Sequence, residues 1–294
     1  MPQVTTAPPA HRSPFNIVAQ AARAADRSAE RAGVEVRALT DIETLREAAA
    51  LLVAVWGRTP EGVPMNSEVM RSLIHAGGLV SGAYDPSGAL AGVAVLGRGR
   101  TRAGYSYLAG IRPGGTDSGV GFALKQHQRA WALQADIDTI EWTFDPLVSR
   151  NARFNLTKLG AVVRVYEPAF YGRMSDAING DDPADRLVAS WQLASARVVA
   201  ASEHTLPETR MPAADTIVIE RGEGPDGDDA WIDAGEHAWC RVPRDIVAVR
   251  ADDPVRASAW REAVRQRLEP ALQQGFVAVD FSRDGWYHLS KEER

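Results

Sequence analysis

Tyr107-Leu-Ala-Gly-Ile-Arg-Pro-Gly-Gly-Thr-Asp-Ser-Gly-Val-Gly121, continued by Phe122-Ala-Leu-Lys125, is the stretch on which the fold turns. Tyr105 to Ile111 reads as a strand, Gly114-Gly115 opens a loop, and a helix is expected from about Ser118 to Gln134. Gly119 and Gly121 therefore fall where a strand has ended and a helix begins. Glycine has no β-carbon, so an anion can approach the backbone closely at such a point. Unpaired N–H groups and the positive end of the helix dipole would face it. That geometry suits the pyrophosphate of a nucleotide cofactor. A plain glycine-rich turn would carry the same residues.

Upstream, Val34-Glu35-Val36-Arg37-Ala38-Leu39 alternates like a half-buried strand. Asp41 can cap a helix running to about Trp56, with Ile42, Leu45, Ala49, Leu52 and Val53 inward. Asn66 or Ser67 can cap a second helix through about His75. Leu79 to Tyr84, an Asp85-Pro86-Ser87-Gly88 turn and Ala89 to Leu96 read as a β-hairpin. Downstream, the pattern predicts a strand over Thr139–Phe144, a helix from about Asn151 to Leu159 and a strand from Ala161 to Val165. The order β-α-α-β-β-β-α-β-α-β implies the α/β class, with a mixed sheet flanked by helices.

Residues 34–173 form this core. Residues 1–33 are an N-terminal extension, proline-rich at first, whose Ala- and Arg-rich run Ile17 to Ala32 is expected as a packing helix. Residues 174–294 form an added C-terminal α/β region. A helix is expected from Asp185 to about Ala201 and another from Pro254 to Gln274, with strand-like runs near Ile217, Trp239 and Val279. This region is read as completing the substrate pocket, adding to the sheet or forming a homodimer contact.

Composition narrows the function classes. Of 294 residues, 45% are hydrophobic and 24% charged, which is ordinary for a globular protein with a sizeable core. The net charge of -5 gives no basic footprint for a nucleic acid. No apolar run is long enough to span a bilayer, and a cytoplasmic location is the simplest expectation. Cys240 is the single cysteine, read as a buried inert thiol, and no histidine spacing suggests a metal site. Lysine occurs only at positions 125, 158 and 291 in an arginine-rich chain.

The glycine segment is similar to the acyl-CoA-binding signature of the GNAT superfamily of N-acetyltransferases, Arg/Gln-x-x-Gly-x-Gly/Ala. Asn151-Ala152 and Lys158-Leu159-Gly160-Ala161 resemble the same family's following helix. Trp142-Thr-Phe-Asp-Pro146, Asn155-Leu-Thr-Lys-Leu-Gly160, Phe170-Tyr-Gly172 and Asp185-Arg186 resemble a little-characterised bacterial branch of it. The likeness runs from about Val34 to Trp191.

The resemblance implies acetyl-CoA as acyl donor, a small-molecule amine as acceptor and no metal. Backbone groups of Leu108, Gly110 and Ile111 would pair with the pantetheine arm. N–H groups around Ser118, Gly119, Val120, Gly121 and Phe122 would hold the pyrophosphate, and Asn155 is a further candidate for the arm. The amine would enter between the fourth and fifth strands and attack the thioester directly. Asp145 and Glu141 are the candidate bases, and Tyr171 and Tyr166 the nearest candidate acids for the departing thiolate, Tyr171 being preferred. Two positions depart from the family pattern: Thr116 replaces its Arg/Gln beside Asp117, and Leu156 replaces its frequent tyrosine acid.

Each of these residues also has a purely structural use. Asp145 can cap the turn before the next helix, Glu141 can face solvent, and Trp142 can be core. His127 is expected as a satisfied inward-facing histidine, and Lys125 and Arg129 as solvated helix charges. The alternative to an N-acetyltransferase is a non-catalytic acyl-CoA-binding regulatory protein with the same fold. A dinucleotide-binding domain is disfavoured by the hairpin ahead of the glycines.

Overall fold

The computed structural model describes residues 14–57, 62–115, 118–172, 184–207, 211–212 and 216–291. Local capping sets the early elements. Asp41 accepts the Thr44 N–H at 2.9 Å to start α2 (Ile42–Trp56), and Asn66 accepts the Val69 N–H at 2.8 Å to start α3 (Ser67–His75). The Asp85 carboxylate takes the N–H groups of Ser87 and Ala89, closing the turn between β2 (Leu79–Tyr84) and β3 (Leu90–Arg98). Ahead of them lie α1 (Pro14–Ala32) and β1 (Glu35–Ala38). After them come β4 (Ala103–Ile111), α4 (Val120–Gln134), β5 (Thr139–Phe144), α5 (Ser149–Arg153), a π-helical turn (Phe154–Lys158) and β6 (Val162–Glu167).

The expected order of the core is thus present, preceded by the packing helix α1. One expectation is overturned. Arg186–Gln192 is not helical but forms β7, and only Ala196–Ser202 is helix, α6. The segment alternates: Leu187, Ala189 and Trp191 point into the core, while Val188 and Ser190 do not. Its Ala and Leu content suits either state, and pairing decides. β7 lies antiparallel between β5 and β6, with Trp142 opposite Ala189 and Val163 opposite Ala189 on its other edge.

The remaining strands are β8 (Glu220–Glu223), β9 (Asp229–Asp233), β10 (His237–Arg241), β11 (Val277–Phe281) and β12 (Trp286–Ser290), with α7 (Ile246–Asp252) and α8 (Pro254–Gln273) between β10 and β11. Ile217, expected near a strand, precedes β8 and is exposed. All strands join one mixed sheet of order β1-β2-β3-β4-β5-β7-β6-β11-β12-β10-β9-β8. The C-terminal region therefore adds to the sheet, with β11 against β6 at Ala278 and Val163. Among the described residues only β4 and β5 are parallel neighbours.

One apolar cluster runs along a face of the sheet, from Phe122 of α4 through Trp142, Leu156 and Trp191 to Trp260 and Leu268 of α8. α2 and α3 cover the other face over β2 to β4. Beyond β4 that second face carries Glu141, Thr143, Val188 and Ser190, and none of these is fully buried. No helix among the described residues is long and apolar enough to cross a membrane.

Two buried carboxylates tie the C-terminal helices to the core. Asp145, just after β5, takes both Nη atoms of Arg261 at 2.7 and 2.9 Å and Arg250 at 2.8 Å. Asp185, just before β7, takes Arg265 at 2.9 and 2.7 Å and the Tyr166 hydroxyl at 2.6 Å. Burial raises the Asp145 pKa, but the two guanidinium groups outweigh it and hold the carboxyl at about 2, below its ordinary 3.8. Removing one partner of a buried pair strands the other charge. Asp145→Ala should therefore lower the unfolding free energy by about 3–5 kcal/mol in a urea melt. A carboxylate with a depressed pKa stabilises above its unfolded value and loses that contribution as pH falls. The wild type should lose its advantage over Asp145→Ala between about pH 4 and pH 2.

Candidate functional site

β4 and β5 pair in parallel over only three positions, Ala103 with Thr139, Gly104 with Ile140 and Tyr105 with Glu141. β4 continues to Ile111 and β5 to Phe144, so the two strands diverge from Ser106 and Trp142 onward. A bulge contributes to this. The register of β3 with β4 shifts between Val95, opposite Leu108, and Leu96, opposite Ser106, which leaves Tyr107 as the extra residue. Backbone groups that a ladder would have satisfied then need another partner. Leu108, Gly110 and Ile111, expected to line a cofactor arm, lie on this diverging part of β4.

α4 begins beyond the end of β4. Gly119 is its N-cap residue at φ +85°, and among the described residues no side chain caps the helix, unlike α2 and α3. The first backbone bond into the helix comes from the Ala123 N–H to the Gly119 carbonyl. The N–H groups of Val120, Gly121 and Phe122 precede it, so the helix supplies them no partner. The two glycines differ. Gly119 needs a positive φ, which L-residues adopt at a cost. Gly121 does not, and a β-carbon there would meet Ile111 Cδ1 only at 3.8 Å and Phe154 Cζ at 3.9 Å. The protein's own packing leaves room at Gly121, as a backbone cradle for an external anion requires.

Side chains of the first turn are committed elsewhere. Phe122 lies 5.0 Å from the His204 ring, and Val120 packs with Leu124 beneath the sheet. These residues can offer only their backbones to a ligand, together with the exposed Ser118. Thr116 and Asp117 lie outside the described residues. Asn155 is buried in the π-helical turn, next to the Phe154 ring that approaches Gly121. Such turns recur at functional sites.

The expected catalytic residues separate into two places. Glu141 and Tyr171 share the face of the sheet that, beyond β4, no helix among the described residues covers. Glu141 is exposed and in register with Tyr105, while the Tyr171 hydroxyl stands 3.3 Å from Thr143 Oγ1, itself 3.5 Å from the Tyr105 hydroxyl. Asp145 is not with them. Both its oxygens are held by Arg261 and Arg250, and Oδ1 also takes the Leu147 N–H at 2.9 Å. A carboxylate held at about 2 is a poor proton acceptor, so Asp145 serves as an anchor and turn cap in place of the base expected of it. Tyr166 is likewise structural: burial and the Asp185 carboxylate both push its phenol well above its ordinary range.

Two further residues lie on the α4 side of the sheet. Lys125 and Arg129, expected in solvent, are buried, Lys125 against β4 and β5 and Arg129 beneath α1. Arg129 donates to the Leu193 carbonyl and to Gln20 of α1, both at 2.8 Å. Lys125 Nζ donates to Ser106 Oγ at 2.8 Å and stands 3.9 Å from the Trp142 ring centroid. Tyr105, Thr143 and Ser106 escaped the sequence reading because a strand pattern does not reveal where two strands part. His127 is bonded through Nδ1 to Ser81 at 2.9 Å, and Cys240 is a buried thiol pushed up to about 12. Among the described residues no group of His, Cys, Asp or Glu side chains is placed to hold a metal ion.

Comparison with solved structures gives similar chains of low identity. An "IAA acetyltransferase" from Bacillus cereus aligns at 17% identity over 54% of this chain and 99% of that one, with a TM-score of 0.42. The ribosomal-protein-S18-alanine N-acetyltransferase of Escherichia coli aligns at 13% over 55% and 96%, with a TM-score of 0.45. A GNAT superfamily phosphinothricin acetyltransferase from Sinorhizobium meliloti, in complex with acetyl-CoA, aligns at 15% over 54% and 87%, with a TM-score of 0.44. No curated protein matches the chain in sequence. The family model of the acetyltransferase (GNAT) domain matches residues 18–146, a span that holds α1, the diverging strands and the glycine turn. Over that span the chain is similar to GNAT acetyltransferase domains.

Proposed function

We propose that this protein transfers an acetyl group from acetyl-CoA to the amine of a small molecule by direct attack. The observation that carries the reading is the parting of β4 from β5 after Tyr105 and Glu141, in line with an uncapped helix start that has room at Gly121. The family match makes an acyl-CoA the donor. Leu108, Gly110 and Ile111 offer backbone groups to the pantetheine arm, as an added strand would. Of the expected Ser118 to Phe122, the N–H groups of Val120, Gly121 and Phe122 are offered to the pyrophosphate, with the helix dipole in support, while the Ser118 N–H turns to the Gly115 carbonyl. Asn155 borders the same channel.

The uncovered face then receives the amine. Glu141 is the exposed carboxylate there and takes the ammonium proton, directly or through water. Tyr171, first read as the thiolate's acid, has its hydroxyl in the Thr143–Tyr105 cluster on this outer face, which suits contact with the acceptor. The domain division into residues 1–33, 34–173 and 174–294 becomes a functional one in this reading. The C-terminal part fixes the ends of β5 and β7 through Asp145 and Asp185 and leaves the acceptor side open.

Acetyl-CoA should raise the melting temperature of the purified chain, because a ligand bound only by the native state stabilises it by mass action, whereas NAD should not. The two glycines provide the internal control. Gly121→Ala should leave stability within about 1 kcal/mol of wild type, or raise it, yet abolish the acetyl-CoA shift. Gly119→Ala should cost about 1 kcal/mol through its positive φ. An unchanged acetyl-CoA shift in Gly121→Ala would reduce the glycines to a turn.

In an assay of thiol release with amino acids and amino sugars as acceptors, Glu141→Gln should lower kcat by about a hundredfold to ten-thousandfold. Tyr171→Phe should act mainly on KM for the amine. Tight acetyl-CoA binding with no turnover of any acceptor would favour the regulatory reading.

A further inference from the structure

The divergence of β4 and β5 has an apex, and one side chain occupies it. Tyr105 and Glu141 are the last residues paired between β4 and β5, so Ser106 and Trp142 are the first on their strands that do not pair across this junction. Lys125 Nζ touches both, at 2.8 Å from Ser106 Oγ and 3.9 Å from the Trp142 ring centroid. Ser106 in turn donates to Gln128 Oε1 at 3.3 Å, so its hydroxyl proton is engaged and its lone pair faces the amine. We infer that Lys125 is a catalytic acid of this acyl transfer, delivering a proton through the apex of the strand gap to the departing thiolate. The inference rests on the acyl-CoA reading above and adds a residue to it.

Position motivates the role. A pyrophosphate at the start of α4 and an arm along Ile111 to Leu108 bring the acyl end to the bulge at Tyr107, beside Ser106. Burial motivates it as well. Lys125 is fully enclosed, and desolvation alone lowers its pKa to about 7, far from its ordinary 10.5. Charged and titratable groups on the surrounding elements face elsewhere. On α4, His127 bonds to Ser81, and Arg129 to Leu193 and Gln20. On β3, Arg98 reaches the Ala135 carbonyl. On β4 and β5, Tyr105 and Glu141 lie on the opposite face from buried Ser106 and Trp142. The buried stripe of α1, Ile17, Gln20, Ala21, Ala24 and Ser28, holds no charge. An ammonium poised near neutrality is matched to a thiolate leaving group.

The step balances. The acceptor nitrogen forms the new C–N bond, the C–S bond breaks, and its electron pair stays on sulfur. Sulfur takes a proton from Lys125, which becomes the neutral amine. The amide nitrogen releases its extra proton through Glu141 or water, and Lys125 is protonated again from solvent on product release.

Lys125, Lys158 and Lys291 are the only lysines, so lysine-labelled protein gives a spectrum simple enough to titrate residue by residue. The full chain should show one lysine with a midpoint near 7, absent in Lys125→Met, and acetyl-CoA should shift that midpoint. Lys125→Met keeps the aliphatic stem and removes a buried amine, so it should fold and still bind acetyl-CoA. With the best acceptor found among amino acids and amino sugars, its kcat should fall about a hundredfold or more. Wild-type kcat should decline as pH rises above about 7, as the ammonium is lost, and Lys125→Met should lack that decline. An unmoved midpoint on adding acetyl-CoA, or a variant with wild-type kcat and pH profile, would overturn the role while leaving the enzyme reading intact. If the wild type turns over no acceptor, the titration alone decides the position of Lys125. A wild type that binds no acetyl-CoA overturns both.

Discussion

The parallel contact between β4 and β5 is the constraint around which the rest is arranged. Among the described residues every other junction of the sheet is antiparallel, and antiparallel neighbours can be joined by short turns. A parallel pair needs a crossover, and α4 supplies it. The crossover places the start of a helix beyond the end of β4, while the bulge at Tyr107 and the pairing of β5 with β7 draw the two strands apart. A gap with unsatisfied backbone on its walls thus ends opposite a helix terminus with unsatisfied N–H groups. Neither feature was built for the other in sequence, but the topology makes them one channel.

A second junction shows that an open ladder need not be a site. β6 and β11 share a single paired position, Val163 with Ala278. There the missing ladder is replaced by side chains. Thr157 bonds to the Asp280 carboxylate and to the Phe281 carbonyl at 2.8 Å, and Arg197 bonds to the carbonyls of Leu156 and Val279. The seam is stitched and carries no opening. Between β4 and β5 Lys125 reaches the parting point from the helix side, and the opposite face carries Glu141, Thr143 and Tyr171. The contrast lies in what fills the gap, not in how short the ladder is.

What could be read from the sequence follows the range of the interactions. Asp41, Asn66 and Asp85 each satisfy backbone groups within four residues, so the helices and hairpin they start were legible. The glycine turn was legible for the same reason. β7 was not, because its residues suit a helix as well as a strand and the choice is made by β5 and β6 on either side. Asp145 was legible as a turn cap through Leu147, but Arg250 and Arg261 lie more than a hundred residues away, and no local pattern announces them. Lys125 and Arg129 looked solvated because one helix alone shows only its own periodicity. Arg129 is buried by α1 through Gln20, and Lys125 by the sheet through Ser106 and Trp142. The one available signal was composition: a lysine inside the helix of an otherwise arginine-rich chain.

The buried charges follow two opposite rules, and the difference separates scaffold from chemistry. Asp145 and Asp185 are enclosed with guanidinium partners, so their charge is fixed over the working range and the helices they hold are fixed with it. Such a group gains stability from ionisation and has no proton to exchange near neutral pH. Lys125 is enclosed with a hydroxyl and an aromatic face, neither of which can match its charge. The buried ammonium costs the fold most below about 7, and that cost fades between about 7 and 10.5 as the folded chain gives up the proton first, a cost that a methionine would not carry. Packing alone favours the apolar residue at that position. A titratable amine held where two strands part therefore calls for a function, and proton exchange with a group lodged in the gap is the function its chemistry allows.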